Sequence, residues 1–153
     1  MKKLIAVILI AACMLCAYGC SKGPKTYNTE ALAAALATEL EFGETLEQST
    51  ADFACSVYGI DPSLCTEIAV YSGSGATADE VAVFNCVDES AAEEVSLAAS
   101  LRLDYLRDGY SSYGPQEVPK IEAATLFVDG TTVVVCICNN SDKVAGIIES
   151  NAE

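Results

Sequence analysis

The chain has 153 residues, 52% of them hydrophobic, which is enough for one compact core and too little for two domains of ordinary size. Histidine and tryptophan are absent, which excludes Ser-His-Asp and Cys-His catalysis, the His-Glu-x-x-His zinc helix and any imidazole pH switch. A formal net charge of −14 repels phosphate backbones, whose binding rests on lysine and arginine displacing counterions, so no nucleic-acid partner is expected.

At the amino terminus, Met1-Lys2-Lys3 precedes Leu4 to Ala17, fourteen residues without a charge. As a helix this stretch would span about 21 Å at 1.5 Å per residue, short of the roughly 30 Å hydrocarbon layer, so residues 1–19 read as a signal peptide. The end of the stretch, Ala17-Tyr18-Gly19-Cys20, resembles the bacterial lipobox, in which a small residue precedes an obligatory cysteine. That resemblance implies that Cys20 takes a diacylglyceryl group, becomes the new amino terminus and anchors the exported chain on the outer face of the cytoplasmic membrane. Removal of Lys2 and Lys3 with the signal leaves six basic against 22 acidic groups, a net −16. Residues 20–27, containing Ser21-Lys22-Gly23-Pro24-Lys25-Thr26, read as a flexible tether, and residues 28–153 as a single domain.

Within that domain, Asn28 or Thr29 caps a first helix in which Leu32, Leu36 and Leu40 recur at four-residue spacing. A shorter helix follows from Thr50 to Val57, stopping at Tyr58-Gly59 before the Asp61-Pro62 turn. Ile68 to Ser72 and Val81 to Cys86 then alternate as two strands of a hairpin. Asp88 or Ser90 caps a long helix to about Tyr110, with Ser90 and Glu93 placed for a capping box. Its stripe is Ala92, Val95, Ala99, Leu103, Leu106 and Tyr110; Leu97 and Leu101 lie off it, and the first helix is the simplest element to cover them. The stretch YSSYGPQEVPK, with two prolines, reads as a loop. Strands from Ala124 to Val128 and Thr131 to Cys138 flank the hairpin signal Asp129-Gly130, and Asp142 to Ser150 closes the chain as a helix. The expected fold is α+β: an antiparallel sheet of about four strands in two hairpins, with helices mainly on one face.

Between the first two strands, Gly73-x-Gly75-x-x-Ala78 has the outline of a dinucleotide fingerprint. A phosphate turn needs a helix amino terminus after it, and here VAVFNCV alternates as a strand while Asp79 and Glu80 add repulsion, so no nucleotide and no cofactor are expected. The segments SGSGATADEVAVF and YSSYGPQEVPKIE, with the helix between them, resemble the bacterial lipoprotein family catalogued as domain of unknown function 4358, over roughly Asn28 to Glu149. The resemblance implies an exported, lipid-anchored protein of monoderm bacteria. Gly75, Ala76, Glu80, Tyr113 and Pro119 match the family's pattern, which assigns them no role.

Cys55, Cys65, Cys86, Cys136 and Cys138 follow Cys20, an odd number that cannot all pair within one chain. Cys55 and Cys65 flank a turn that can bring them together as a disulfide, with buried free thiols as the alternative. Cys136 and Cys138 share one strand face and, with Cys86, lack the second close pair or histidine that a metal centre requires, so no metal site is assigned. The pairs Asp79-Glu80, Asp88-Glu89 and Glu93-Glu94 suit turns and helix starts better than a catalytic dyad, because adjacent carboxylates diverge. Tyr105, Tyr110 and Tyr113 would offer a sugar platform only if exposed together. The expectation is a noncatalytic binding or interaction module for an unknown envelope protein or small ligand; the alternative is a small envelope enzyme using carboxylates or a thiol.

Overall fold

The computed structural model describes residues 23–153; the signal-peptide reading and Cys20 lie outside the described residues. Ten regular elements follow in order: α1 (Thr29–Glu39), β1 (Glu47–Ser49), α2 (Ala51–Tyr58), β2 (Cys65–Ser72), β3 (Glu80–Cys86), α3 (Glu89–Tyr113), α4 (Val118–Glu122), β4 (Thr125–Asp129), β5 (Thr132–Ile137) and α5 (Val144–Ser150). The architecture is α+β, with five strands rather than about four. The added strand, β1, is Glu-Gln-Ser, which has no apolar residue to announce it and exists by pairing with the edge of β2.

The sheet order is β1-β2-β3-β5-β4, antiparallel throughout. The helices cover both faces, which corrects the expectation of one. Val81, Val83, Val134 and Cys136 point to the side of α1 and α5, joined by Leu32, Leu36, Val144 and Ile148. Ala82, Phe84, Val133 and Val135 point the opposite way, toward α2 and α3, with Ala54, Tyr58, Val95 and Ala99. This two-sided burial explains why the central strands read VAVF and TVVVCI, apolar at both parities. The closed packing of Phe84 against Tyr58, ring centroids 5.0 Å apart, marks the middle of the α2–α3 side.

Local signals set the ends. The Asn28 side chain accepts from Ala31 N–H at 2.9 Å, Thr50 caps α2, and Gly59 ends it at φ +67°, a conformation favouring glycine. Asp88, rather than Ser90, caps α3, accepting from Ala91 N–H at 2.8 Å. Two expectations fail beyond this point. α3 runs on to Tyr113, and the supposed loop after it is a 3₁₀ turn, Pro115–Glu117, leading into α4. Each proline occupies a first-turn position, where its missing N–H would have had no helical partner anyway. Secondly, α1 lies across the sheet from α3, so it does not cover Leu97 and Leu101, which are exposed together with Tyr105.

The tether reading also shortens. Lys25 N–H and the Tyr27 hydroxyl both donate to Asp129 Oδ2, at 3.2 and 3.1 Å, Lys25 forms an ion pair with Glu149, and Glu153 N–H donates to Thr26 at 2.9 Å. Residues 24–27 are thus part of the domain, bound beside the β4–β5 turn. Burial and the Asp129 carboxylate push the Tyr27 hydroxyl up to about 12. Among the described residues, no helix is long and apolar enough to cross a membrane.

Candidate functional site

The polar groups of the domain converge on the loop between β2 and β3, residues 73–79. Gly75 takes φ +91°, and Gly73 N–H closes the loop on the Asp79 carbonyl at 3.3 Å. Because β3 begins at Glu80, the glycines lead into a strand, and no helix amino terminus faces the turn. The loop is instead clasped from three sides. The Tyr110 hydroxyl, from the buried face of α3, donates to the carbonyls of Thr77 and, at 3.1 Å, Gly75. Glu117 accepts from Ala78 N–H at 3.0 Å. Glu44 accepts from Thr77 through both its N–H and its hydroxyl, at 3.2 and 2.7 Å. Hydrogen bonds from Ser74 and then Thr77 hold the Glu44 carboxyl down at about 2.

Asp79 and Glu80 diverge to opposite faces of the sheet, as alternation along an extended chain requires. Asp79, its carboxylate fully buried, accepts from Gly43 N–H at 2.6 Å, Thr77 Oγ1 at 2.9 Å and Lys120 Nζ at 2.6 Å. Lys120 also bridges to Glu117 at 2.7 Å. Burial opposes its charge, but hydrogen bonds to Asp79 and Glu117 outweigh this and leave its pKa raised. On the other face, Glu80 accepts from the Tyr58 hydroxyl at 2.6 Å and from Arg102 at 2.8 Å. Burial first, and then the Glu80 charge, push the Tyr58 hydroxyl well up. The Arg102 guanidinium sits 5.9 Å from the Tyr58 ring centroid, so cation and ring stabilise one another beside the carboxylate.

The family-pattern residues fall into this arrangement unevenly. Gly75 supplies the left-handed turn and a carbonyl to Tyr110; Glu80 is the buried partner of Arg102; Pro119 opens the helix that carries Lys120. Ala76 lies in the loop, its N–H donating to the Ser74 hydroxyl at 3.3 Å. Tyr113 is exposed, its ring tilted against Tyr110 with centroids 4.7 Å apart. Tyr110 is buried, so Tyr110 and Tyr113 do not form a shared exposed platform.

The cysteines form two groups on opposite faces. Cys55, Cys65 and Cys86 share the α2–α3 side, while Cys136 and Cys138 lie beneath α1 and α5, so Cys86 cannot join the latter two around one metal ion. All five are free thiols. The Cys136 thiol is hydrogen-bonded to that of Cys138, which lowers Cys138 to about 7 and, together with burial, raises Cys136. Cys138 lines a shallow depression of about 350 Å³ with Glu117, Lys120 and Asn139. Cys65 lies opposite Cys86 in the β2–β3 ladder, and Cys55 is a neighbour of Cys65 on the helix side. Sequence spacing shows none of the clasp: Glu44, Asp79, Tyr110, Glu117 and Lys120 are brought together by the crossing of four separate segments.

The family model for a domain of unknown function (DUF4358) matches residues 38–138. The chain belongs to that family. The match takes in all five strands, α2, α3, α4 and the whole clasped loop, and leaves most of α1 and all of α5 outside. The region matched is narrower than the 28–149 span of the resemblance. No curated protein and no solved structure matches this DUF4358 chain.

Proposed function

We propose that the chain is an exported, lipid-anchored, noncatalytic interaction module on the outer face of the cytoplasmic membrane, held through diacylglyceryl on Cys20. The observation that carries the noncatalytic part is the engagement of its buried acids. Asp79 and Glu80 accept internal donors on both carboxylate oxygens, and Glu117 accepts from Ala78 N–H and Lys120 on one, so each of these acids is already engaged in holding the fold together. The lipid anchor rests on the Gly19-Cys20 motif and the apolar stretch before it.

Anchoring would also orient the domain. Only Ser21, Lys22 and Gly23 separate Cys20 from the bound segment at Pro24, a reach of at most about 14 Å. The Asp129–Gly130 turn would then lie close to the headgroups, and the clasped loop at the opposite end of β5, about 20 Å farther out. α3 would run outward between the two, presenting Leu97, Leu101 and Tyr105 along one exposed line to an envelope protein.

Two experiments test the parts separately. Cys20→Ala is expected to lose labelling by a fatty-acid analogue and to leave the membrane or stall as precursor; a labelled variant, or one processed and still membrane-bound after a salt wash, overturns the anchor. Photocrosslinkers at positions 97, 101 and 105 are expected to capture one defined envelope protein that a crosslinker at exposed Glu67 does not. The placement of Cys138 beside Lys120 favours a second reading, an envelope enzyme using that thiol. Its burial argues against this, and slow alkylation of Cys138 in the folded protein is expected; alkylation as fast as that of a free peptide thiol would favour the enzyme.

A further inference from the structure

We propose that Cys65 and Cys86 are a cross-strand thiol pair that oxidises to a disulfide, closing the base of the β2–β3 hairpin that carries the clasped loop. The two residues are partners in the antiparallel ladder, at the outer side of a register shift between Cys65 and Glu67. The backbone shows which kind of pair they form. Cys86 N–H donates away from Cys65, to Thr131 at 2.8 Å, and the bond linking the strands lies one step outside the pair, from Val87 N–H to Leu64 at 2.9 Å. Cys65 and Cys86 are therefore a non-hydrogen-bonded pair, in which Cα atoms approach to about 4.5 Å and side chains are closest, within the separation that a disulfide spans.

Access and order follow from burial. Cys65 is partly exposed at the sheet edge behind the Pro62–Leu64 turn, whereas Cys86 is buried. The Cys65 thiolate attacks an external disulfide, forming a mixed disulfide and expelling one thiolate. The Cys86 thiolate then attacks the Cys65 sulfur, forming the Cys65–Cys86 bond and expelling the second thiolate. The two expelled groups take up the two protons that the cysteines lost, and the external disulfide is the oxidant, reduced to two thiols. Cys86 faces Cys65 across the ladder, whereas Cys55 lies on α2 with its thiol pushed up by burial; the third thiol is the poorer competitor.

The oxidation is distinct from the interaction reading and does not depend on the anchor. The test is to incubate the full-length protein with glutathione disulfide, block remaining thiols, and digest after acidic residues. Cleavage after Glu67, Glu80 and Glu89 separates Cys86 from Cys65, and fragmentation of the linked peptide distinguishes Cys65 from Cys55. A Cys65–Cys86 link is expected in the wild type and in Cys55→Ser, with a higher urea midpoint than the reduced protein. In Cys86→Ser, glutathione is expected to remain on Cys65. A wild-type Cys55–Cys65 link, or no intramolecular link under these conditions, overturns the proposal, and the wild-type map needs no variant to fold.

Discussion

Two glycine-bearing connections join neighbouring strands of this sheet, at opposite ends of the molecule, and they are held in different ways. The Asp129-Gly130 turn is short: Gly130 takes φ +56°, and the chain reverses within two or three residues. The 73–79 loop is longer and takes its shape from elsewhere, through carboxylates of Glu44 and Glu117, the hydroxyl of Tyr110 and the Asp79–Lys120 ion pair. A turn encoded by its own residues can be recognised in sequence and can in turn support another segment, as Asp129 does for Lys25 and Tyr27. A loop held by distant side chains loosens as each of them is removed.

The largest break in that comparison is expected from Asp79→Ala. It leaves Gly43 N–H without its acceptor and takes one of two carboxylates from both Lys120 and the Thr77 hydroxyl, and breaking a buried ion pair costs about 3–5 kcal/mol. Asp129→Ala, at the partly exposed turn, is expected to cost about 1 kcal/mol. Urea unfolding of the two variants measures the difference, and equal losses would mean that the loop is no more dependent on tertiary contacts than the turn.

Glycine substitutions sharpen the contrast. Gly130→Ala and Gly75→Ala both force a left-handed residue to carry a Cβ, at roughly 1–2 kcal/mol. At Gly130 the new Cβ would also lie 2.7 Å from Pro24, whereas at Gly75 it enters open space. Gly130→Ala is therefore expected to be the more destabilising and to speed proteolysis between residues 24 and 28. Tyr110→Phe removes only the hydroxyl bonds to the loop carbonyls; a loss of about 1 kcal/mol is expected, with little change in the α3–β5 contacts.

The smallest effect is set by pH. Glu44 titrates at about 2 in the folded protein against 4.5 when unconstrained, so its contribution is fully present above the unfolded value and fades as pH falls from there toward 2. Glu44→Gln should therefore be less stable than the wild type at neutral pH, with the gap closing below about pH 4. A gap that stays constant across this range would remove the carboxylate from the clasp.

Much of the fold is legible in the sequence because the signals are local: Asn28 and Thr50 as caps, Gly59 as a stop, Asp129-Gly130 as a hairpin turn. The coverage of both sheet faces is missed when Val81 to Cys86 is read as alternating; the signal against one-sided burial is that Ala82 and Phe84 stand between valines, apolar at both parities. β1 carries no signal because its pairing is supplied by β2, and Pro115 and Pro119 suggest a loop since a proline that starts a helix looks the same in sequence as one that prevents it. The clasp is the least legible part. Asp79-Glu80 suggests a turn or a solvated pair, and only the packed chain brings Lys120 and Arg102 to them from opposite sides of the sheet.

The central claim is that the acidic side chains around the 73–79 loop are bound to internal donors and hold it in one shape. Amide hydrogen exchange tests it at the donors themselves. In the wild type the N–H groups of Gly43, Thr77 and Ala78, whose acceptors are Asp79, Glu44 and Glu117, should exchange far more slowly than that of an open loop. Lys120→Met should release Gly43 and Ala78 while leaving the β4–β5 amides protected. Exchange of all three at the rate of an unstructured peptide in the wild type would contradict the account.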